Sequence, residues 1–268
     1  MSKHLYFFVK NHNRLAWVCQ CEKLDITAAF SLFLPKGIGG CIMSYSHARL
    51  KALLARVDHT LLKVDASEAD FIRLTDEASE YEVACICVPP SRVSFCANRL
   101  AGKIAVGSVT GFPNGYNDPE AKAYEAERII SLGAVEIDMV IDIGKVKDGN
   151  YAYILEDIRR SRKATEGYIL KVIIETALLT ADEKIKLCKV VSESGADFIK
   201  TSTGFAGGGA TPEDVELLRK HTEPHVKVKA AGGINSLEDA FCFAELGADR
   251  LGTSRIVGLV KGIESSGY

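Results

Sequence analysis

The sequence predicts a single (β/α)8 barrel. From Arg56 onward, eight short apolar segments alternate with longer amphipathic ones, and glycine stop signals recur where the intervening helices should end. The length, 268 residues, suits such a barrel, which needs about 250. An open, doubly wound sheet built from the same alternation is the competing architecture.

The strand candidates are 56–62 (RVDHTLL), 82–88 (EVACICV), 103–109 (KIAVGSV), 136–142 (EIDMVID), 170–176 (LKVIIET), 197–202 (DFIKTS), 226–231 (VKVKAA) and 250–253 (RLGT). Short length and β-branched residues favour strand over buried helix in most of them. Helix starts are marked by Thr180 with Glu183, a capping box, and by Asp118-Pro119 and Thr211-Pro212, each a capping side chain before a first-turn proline. Gly133, Gly167, Gly195 and Gly247 stand where helices should stop. Three of these stops read Gly-Ala, and five residues beyond each glycine come Asp138, Lys200 and Gly252. Equivalent strand positions therefore carry different chemistry.

Composition narrows the function classes. Hydrophobic residues make up 47% and charged residues 25% of the chain, the balance of a soluble globular protein. A formal net charge of −2 gives no overall attraction to nucleic acid or anionic membrane. The eight cysteines show no CxxC pair or zinc-ligand spacing, so they read as reduced cytoplasmic thiols, and no metal site is expected. No apolar run approaches the ~20 residues of a membrane span. Residues 1–43 differ from the rest: apolar stretches at 4–9 and 26–34 are broken by charges, without the clean apolar core of a secretory signal. They are expected to form a poorly ordered extension, followed by the barrel at 44–268 with a flexible C-terminal tail.

Charges inside the strands are the most informative feature. Asp58, Asp138, Lys171, Lys200, Lys227 and Lys229 all fall within apolar segments. Strands covered on both faces tolerate a charge only when it is paired or functional. Lys200 and Lys229 stand at comparable points on consecutive strands, near the C-terminal rim where barrel active sites lie. Two ammonium groups in proximity disfavour each other's charge, and desolvation acts in the same direction. An ordinary lysine is neutral roughly 0.04% of the time at pH 7, and a shift of its pKa to about 7 raises that fraction a thousandfold. Such an amine can attack a carbonyl. The alternative is an inert ion network with Asp58, Asp138 or Glu175, to which Lys171 and Lys227, deeper in their strands, are assigned. Asp138 could relay protons through a water, and Asp58 could orient Lys229. His59 is expected to be a hydrogen-bonded structural residue. Cys87 shares a strand face with Cys85, where it either packs or approaches a substrate.

Glycines follow the last three strands: Gly204 with Gly207-Gly208-Gly209, then Gly232-Gly233, then Gly252-Thr253-Ser254. The last group opens a helix, and loops after strands seven and eight commonly cradle phosphate at a helix N-terminus. With no GxGxxG after a first strand and no Walker loop, a nucleotide cofactor is not expected.

These segments together resemble the deoxyribose-phosphate aldolase family. Asp197-Phe198-Ile199-Lys200-Thr201-Ser202-Thr203-Gly204-Phe205 is similar to its Schiff-base strand, and Val228-Lys229-Ala230-Ala231-Gly232-Gly233-Ile234 to the strand bearing its second lysine. Val57-Asp58-His59-Thr60-Leu61-Leu62, Glu136-Ile137-Asp138-Met139-Val140 and Leu170-Lys171-Val172-Ile173-Ile174-Glu175-Thr176 match in order, so the resemblance runs from about Ser44 to the C-terminus. It implies reversible cleavage of 2-deoxy-D-ribose 5-phosphate to acetaldehyde and D-glyceraldehyde 3-phosphate, without metal or organic cofactor. It further implies that Lys200 forms the imine, Lys229 perturbs its pKa, Asp138 assists proton transfer and Asp58 supports Lys229. Gly204, Gly232, Gly233, Gly252 and Ser254 would bind phosphate, and the terminal Tyr268 would move the C2 proton from a mobile tail. The chain departs from the family at Asn235, where arginine is frequent; Arg255 could compensate.

Other readings stay open: a related imine aldolase, a phosphosugar epimerase or isomerase that needs no lysine nucleophile, or a silent phosphosugar-binding protein. A homo-oligomer, dimer or tetramer, fits any of them. Because eight strand–helix units fit after Arg56, a chain starting at Met43 should match the full chain in melting temperature and specific activity. Loss of more than a few degrees would show that the extension packs on the barrel.

Overall fold

The structure, a computed structural model, describes the backbone of residues 45–265 and the side chains of residues 45–262. Expectations for residues 1–43 and for Tyr268 lie outside the described residues. In chain order the elements are α1 (His47–Leu54), β1 (Val57–Thr60), α2 (Glu68–Glu80), β2 (Cys85–Cys87), α3 (Val93–Leu100), β3 (Ala105–Thr110), α4 (Pro119–Ser131) and β4 (Glu136–Val140). They continue with α5 (Ile143–Lys147), α6 (Tyr151–Ala164), β5 (Ile169–Ile173), α7 (Ala181–Ser194), β6 (Phe198–Lys200), α8 (Pro212–His221), β7 (Lys227–Ala231), α9 (Leu237–Glu245), β8 (Arg250–Thr253) and α10 (Ile256–Ser265).

The eight strands pair in parallel in sequence order, and β8 returns to β1 through Val57↔Leu251 and Asp58↔Gly252, closing the barrel. Closure excludes the doubly wound alternative. Every strand candidate overlaps its strand; β3 runs one residue past its candidate to Thr110 and β5 starts one residue before its own at Ile169, while most of the others are trimmed because the apolar runs continue into buried loop residues such as Ile141 and Ile174.

The two-residue strand period sorts side chains between two cores. Ile137, Met139, Leu170, Val172, Ile199, Val228 and Leu251 join the apolar shell between strands and helices. Their neighbours Glu136, Asp138, Lys171, Lys200 and Lys229 are equally buried but on the inner face. The helices start where their caps predict. Thr180 and Glu183 exchange hydrogen bonds at the start of α7, Asp118 accepts from Glu120 N and Thr211 from Asp214 N. Gly133, Gly167, Gly195 and Gly247 all take positive φ just past helix ends.

Two features were not evident in the sequence. Helix α1 precedes the barrel and docks on α9, with Tyr45 stacked on Phe241 at 4.8 Å and Arg49 paired to Glu245 at 2.9 Å. Between α4 and α6, Lys122 and Asp157 form a fully buried ion pair of 2.7 Å, and Lys122 Nζ also donates to the carbonyl of Val140 at 2.9 Å. The pair clamps both helices to the end of β4. Among the described residues, no helix is long and apolar enough to cross a membrane.

Candidate active site

Strand register brings the charged residues together. Lys200 on β6 lies opposite Lys229 on β7, which in turn lies opposite Arg250 on β8. On the other side of the barrel, Asp138 on β4 pairs with Lys171 on β5. Below this layer, Phe198 fills the interior with the ammonium groups of Lys227 and Lys171 at 5.6 and 6.0 Å from its ring centroid. Lys227 departs from expectation here. It is exposed and faces the Phe198 ring, with no carboxylate in salt-bridge range among the described residues, because it enters β7 at the barrel's open N-terminal end.

Asp138 is the centre of the interior network. Its Oδ1 accepts from Lys171 at 3.0 Å, and its Oδ2 accepts from both Lys200 and Lys229 at 2.7 Å. Lys229 also pairs with Asp58 at 2.5 Å. Lys171 reaches Glu136 at 2.5 Å and Asp58 at 3.6 Å. Arg250 closes the ring by donating to Asp58 and, at 2.5 Å, to Glu136. Three carboxylates, Asp58, Glu136 and Asp138, thus face four cations, Lys171, Lys200, Lys229 and Arg250, in the barrel interior. One positive charge is in excess, and the cation with the weakest hold on a carboxylate should give up its proton.

That cation is Lys200. Among the described residues, its only carboxylate contact is one oxygen of Asp138, shared with Lys229. Burial lowers its pKa, and the neighbouring Lys229 charge lowers it further against the pull of Asp138. Lys229 goes the other way: burial alone would lower its pKa, but Asp138 and Asp58 together hold it above the ordinary lysine value. Lys171 is held high by Asp138, Asp58 and Glu136 despite its own burial. Burial would raise Asp138, yet Lys171, Lys200 and Lys229 keep it well below the usual carboxylate range. Two lysines one hydrogen bond from the same oxygen therefore titrate in opposite directions.

The remaining candidates separate by strand face. Asp58 points inward to Lys229, as expected. His59 points outward to Glu77 at 3.1 Å, where burial lowers its pKa, and is structural. Cys85 and Cys87 are buried on the inner face. Burial pushes the Cys87 thiol up to about 11, which keeps it protonated beside the lysines. Cys85, Asp58 and Glu136 lie close enough to share a cation. Their carboxylates are already matched by Arg250, Lys171 and Lys229, and burial with Glu136 nearby keeps the Cys85 thiol protonated, so the donor set suits these side chains better than a metal.

At the C-terminal rim, the five expected phosphate residues, Gly204, Gly232, Gly233, Gly252 and Ser254, line one cavity of about 230 Å³. Glycine is required where strands and loops nearly touch. A Cβ on Gly209 would stand 2.5 Å from the carbonyl carbon of Gly232, and one on Gly252 would stand 2.9 Å from Cβ of Ala231. Asn235 lines the same cavity but spends its side-chain amide on the carbonyl of Gly233 at 3.0 Å. Lys63 and Arg255 line it too and are its cations. Sequence reasoning missed Lys63, which looks like any loop lysine after a strand, and Arg250 and Glu136, whose partners are known only from register.

A buried, charge-stressed amine beneath an anion-sized cavity on a closed barrel has the makings of an enzyme that attacks carbonyls. A protein-family model described as DeoC/LacD family aldolase matches residues 52–264. A deoxyribose-phosphate aldolase of Streptococcus pyogenes serotype M4 (strain MGAS10750) is 52% identical over 212 residues, covering 79% of this chain and 95% of the relative. One of Clostridium botulinum (strain Alaska E43 / Type E3) is 50% identical over 216 residues, covering 81% and 98%. Among solved structures, the tetrameric deoxyribose phosphate aldolase from Aeropyrum pernix superposes with a TM-score of 0.72 at 32% identity, over 81% of this chain and 93% of that one. The chain belongs to the DeoC/LacD family of aldolases, carbon–carbon lyases on a (β/α)8 barrel.

The electrostatics of the two lysines are open to direct measurement. Because the charge of Lys229 lowers the pKa of Lys200, Lys229→Leu should move the pH limb of imine formation to higher pH. Trapping acetaldehyde with borohydride across a pH series reads that limb. A limb that stays in place, or moves to lower pH, contradicts the assignment.

Proposed function

We propose that this aldolase reversibly cleaves 2-deoxy-D-ribose 5-phosphate to acetaldehyde and D-glyceraldehyde 3-phosphate, with Lys200 as the Schiff-base nucleophile. The observation that carries this reading is the excess positive charge in the barrel interior, which favours the neutral amine at Lys200. The neutral amine adds to C1 of the open-chain sugar, and the carbinolamine takes up a proton through the relay water and loses water, leaving a protonated imine. That imine draws the C2–C3 bonding electrons toward nitrogen as the C3 hydroxyl gives its proton to water. D-glyceraldehyde 3-phosphate departs and the enamine of acetaldehyde remains. Protonation at C2 and hydrolysis by water return Lys200.

Lys229 is the group that perturbs Lys200, and Asp58 with Asp138 holds it charged. Asp138 accepts from three ammonium groups, which makes it a poor proton store. Its part in the relay is therefore to orient a water at the carbinolamine. Gly204, Gly232, Gly233, Gly252 and Ser254 offer backbone and hydroxyl donors to the phosphate, while Lys63 and Arg255 supply the charge that arginine at position 235 would have provided. Tyr268 carries the C2 proton. Buried, unlinked Cys85, Cys87, Cys96 and Cys188 support a reducing compartment such as the cytoplasm. Assembly into a dimer or tetramer belongs to the same reading, supported by the exposed Tyr116 and Tyr124 (70% and 72%); light scattering that finds only monomer removes this part.

Borohydride reduction in the presence of deoxyribose 5-phosphate should label the peptide containing Lys200. Unphosphorylated deoxyribose should lose about 10²-fold or more in kcat/KM, the scale of a lost charged, hydrogen-bonded group. Label on Lys229 with Lys200 untouched, or equal turnover of both sugars, would overturn the respective assignment. Tyr268→Phe should leave trapping intact while slowing deuterium exchange at C2 of acetaldehyde by roughly 10²-fold; exchange at the wild-type rate leaves the hydroxyl no part in catalysis.

A further inference from the structure

One buried acid at the rim is unused by the lysine network. Glu175 stands two residues past the end of β5 and is 2% exposed, yet among the described residues no lysine pairs with it, contrary to the network role open to it in the sequence. Its backbone takes the left-handed conformation, φ 52° and ψ 67°, which a glutamate adopts only when its surroundings impose it. That conformation places its side chain against the loop after β6. Oε2 accepts both the amide of Thr203 at 3.1 Å and its hydroxyl at 2.5 Å. The Thr203 hydroxyl oxygen accepts in turn from the amide of Phe205 at 3.0 Å. Thr203, Gly204 and Phe205 form one wall of the rim cavity, three to five residues beyond Lys200. Next to Glu175, the amide of Thr176 donates to the carbonyl of Thr201 at 2.9 Å, tying the same two loops together. The other carboxyl oxygen, Oε1, is buried without a hydrogen-bond partner. An acid held in a strained conformation, with half its hydrogen-bonding capacity unmet, contributes little that a purely structural side chain could not. Its distinguishing contact is the anchor on Thr203.

We propose that Glu175 is a positioning residue for the phosphate end of the substrate. By holding Thr203 it sets the wall at Gly204 and Phe205, and it takes no part in imine formation at Lys200. The inference rests on the phosphosugar reading above and adds the residue that shapes its anion site. Such a residue should act on binding of the phosphorylated sugar and leave the two-carbon half-reaction alone.

The test compares wild type, Glu175→Ala and Glu175→Gln in steady-state kinetics with deoxyribose 5-phosphate and deoxyribose, and in borohydride trapping of acetaldehyde. Glu175→Ala should raise KM for the phosphorylated sugar by roughly tenfold or more, with a smaller fall in kcat. The preference for phosphorylated over unphosphorylated sugar should shrink by a similar factor, while acetaldehyde trapping stays within about twofold. Glu175→Gln keeps an oxygen acceptor for Thr203 and should recover most of the preference. If the alanine variant does not fold, Thr203→Val removes the hydroxyl side of the same anchor and should reduce the preference in the same direction. An undiminished preference in folded Glu175→Ala overturns the inference while leaving the phosphosugar reading in place. So does a loss of trapping that parallels the loss of turnover. Absence of any phosphate preference in the wild type overturns both.

Discussion

The site depends on Asp138 being the shared partner of three buried ammonium groups. Its two oxygens meet Lys171 at 3.0 Å and Lys200 and Lys229 at 2.7 Å, at a depth where a lone carboxylate or a lone amine would be costly. The arrangement is stable because each group compensates the burial of another. It is reactive because compensation is incomplete. With Asp58 and Glu136 engaged by Arg250, Lys171 and Lys229, Lys200 competes for an oxygen already taken, and the interior balances best when it is neutral. The low pKa of Lys200 thus comes from its burial and from the charge of Lys229.

The same logic explains why the network is larger than the chemistry seems to require. Two lysines alone would repel, and each would find the burial intolerable. Lys171 and Arg250 fix the carboxylates so that Lys229 keeps its proton. A charged Lys229 is what lowers Lys200. Removing any one partner from such a cluster leaves an uncompensated buried charge, at a cost of about 3–5 kcal/mol. Stability and reactivity are coupled through the same contacts.

Around this rigid interior the rim divides the work differently. The strands carry the lysines and carboxylates and the loops line the rim cavity, with glycines at positions such as Gly209 and Gly252 where even a Cβ would collide. The loop after β6 belongs to both, since it continues the strand of Lys200 into the cavity wall. Its anchor on Glu175 joins it to the preceding loop.

The sequence by itself determined the alternation of eight strands and helices, and only the pairing of β8 with β1 decided for the barrel over the open sheet. Strand and helix periods, caps and glycine stops are local, and local chemistry dictates them whatever the fold around them. It also exposed Asp58, Asp138, Lys171, Lys200 and Lys229, because a charge in a strand covered on both faces is anomalous on any reading. The division of roles among those residues depended on tertiary structure. Lys171 and Lys227 look alike in their strands, but one is enclosed by three carboxylates and the other reaches the open end of the barrel. Arg250 and Glu136 stand at strand starts, where a charge is unremarkable until closure of β8 on β1 turns them inward. Glu175 could have joined the lysines, and only its left-handed backbone turns it to Thr203. Period and propensity are properties of a segment; a pKa, a partner and a cavity wall are properties of groups far apart in the chain that only the closed barrel brings within a few ångströms.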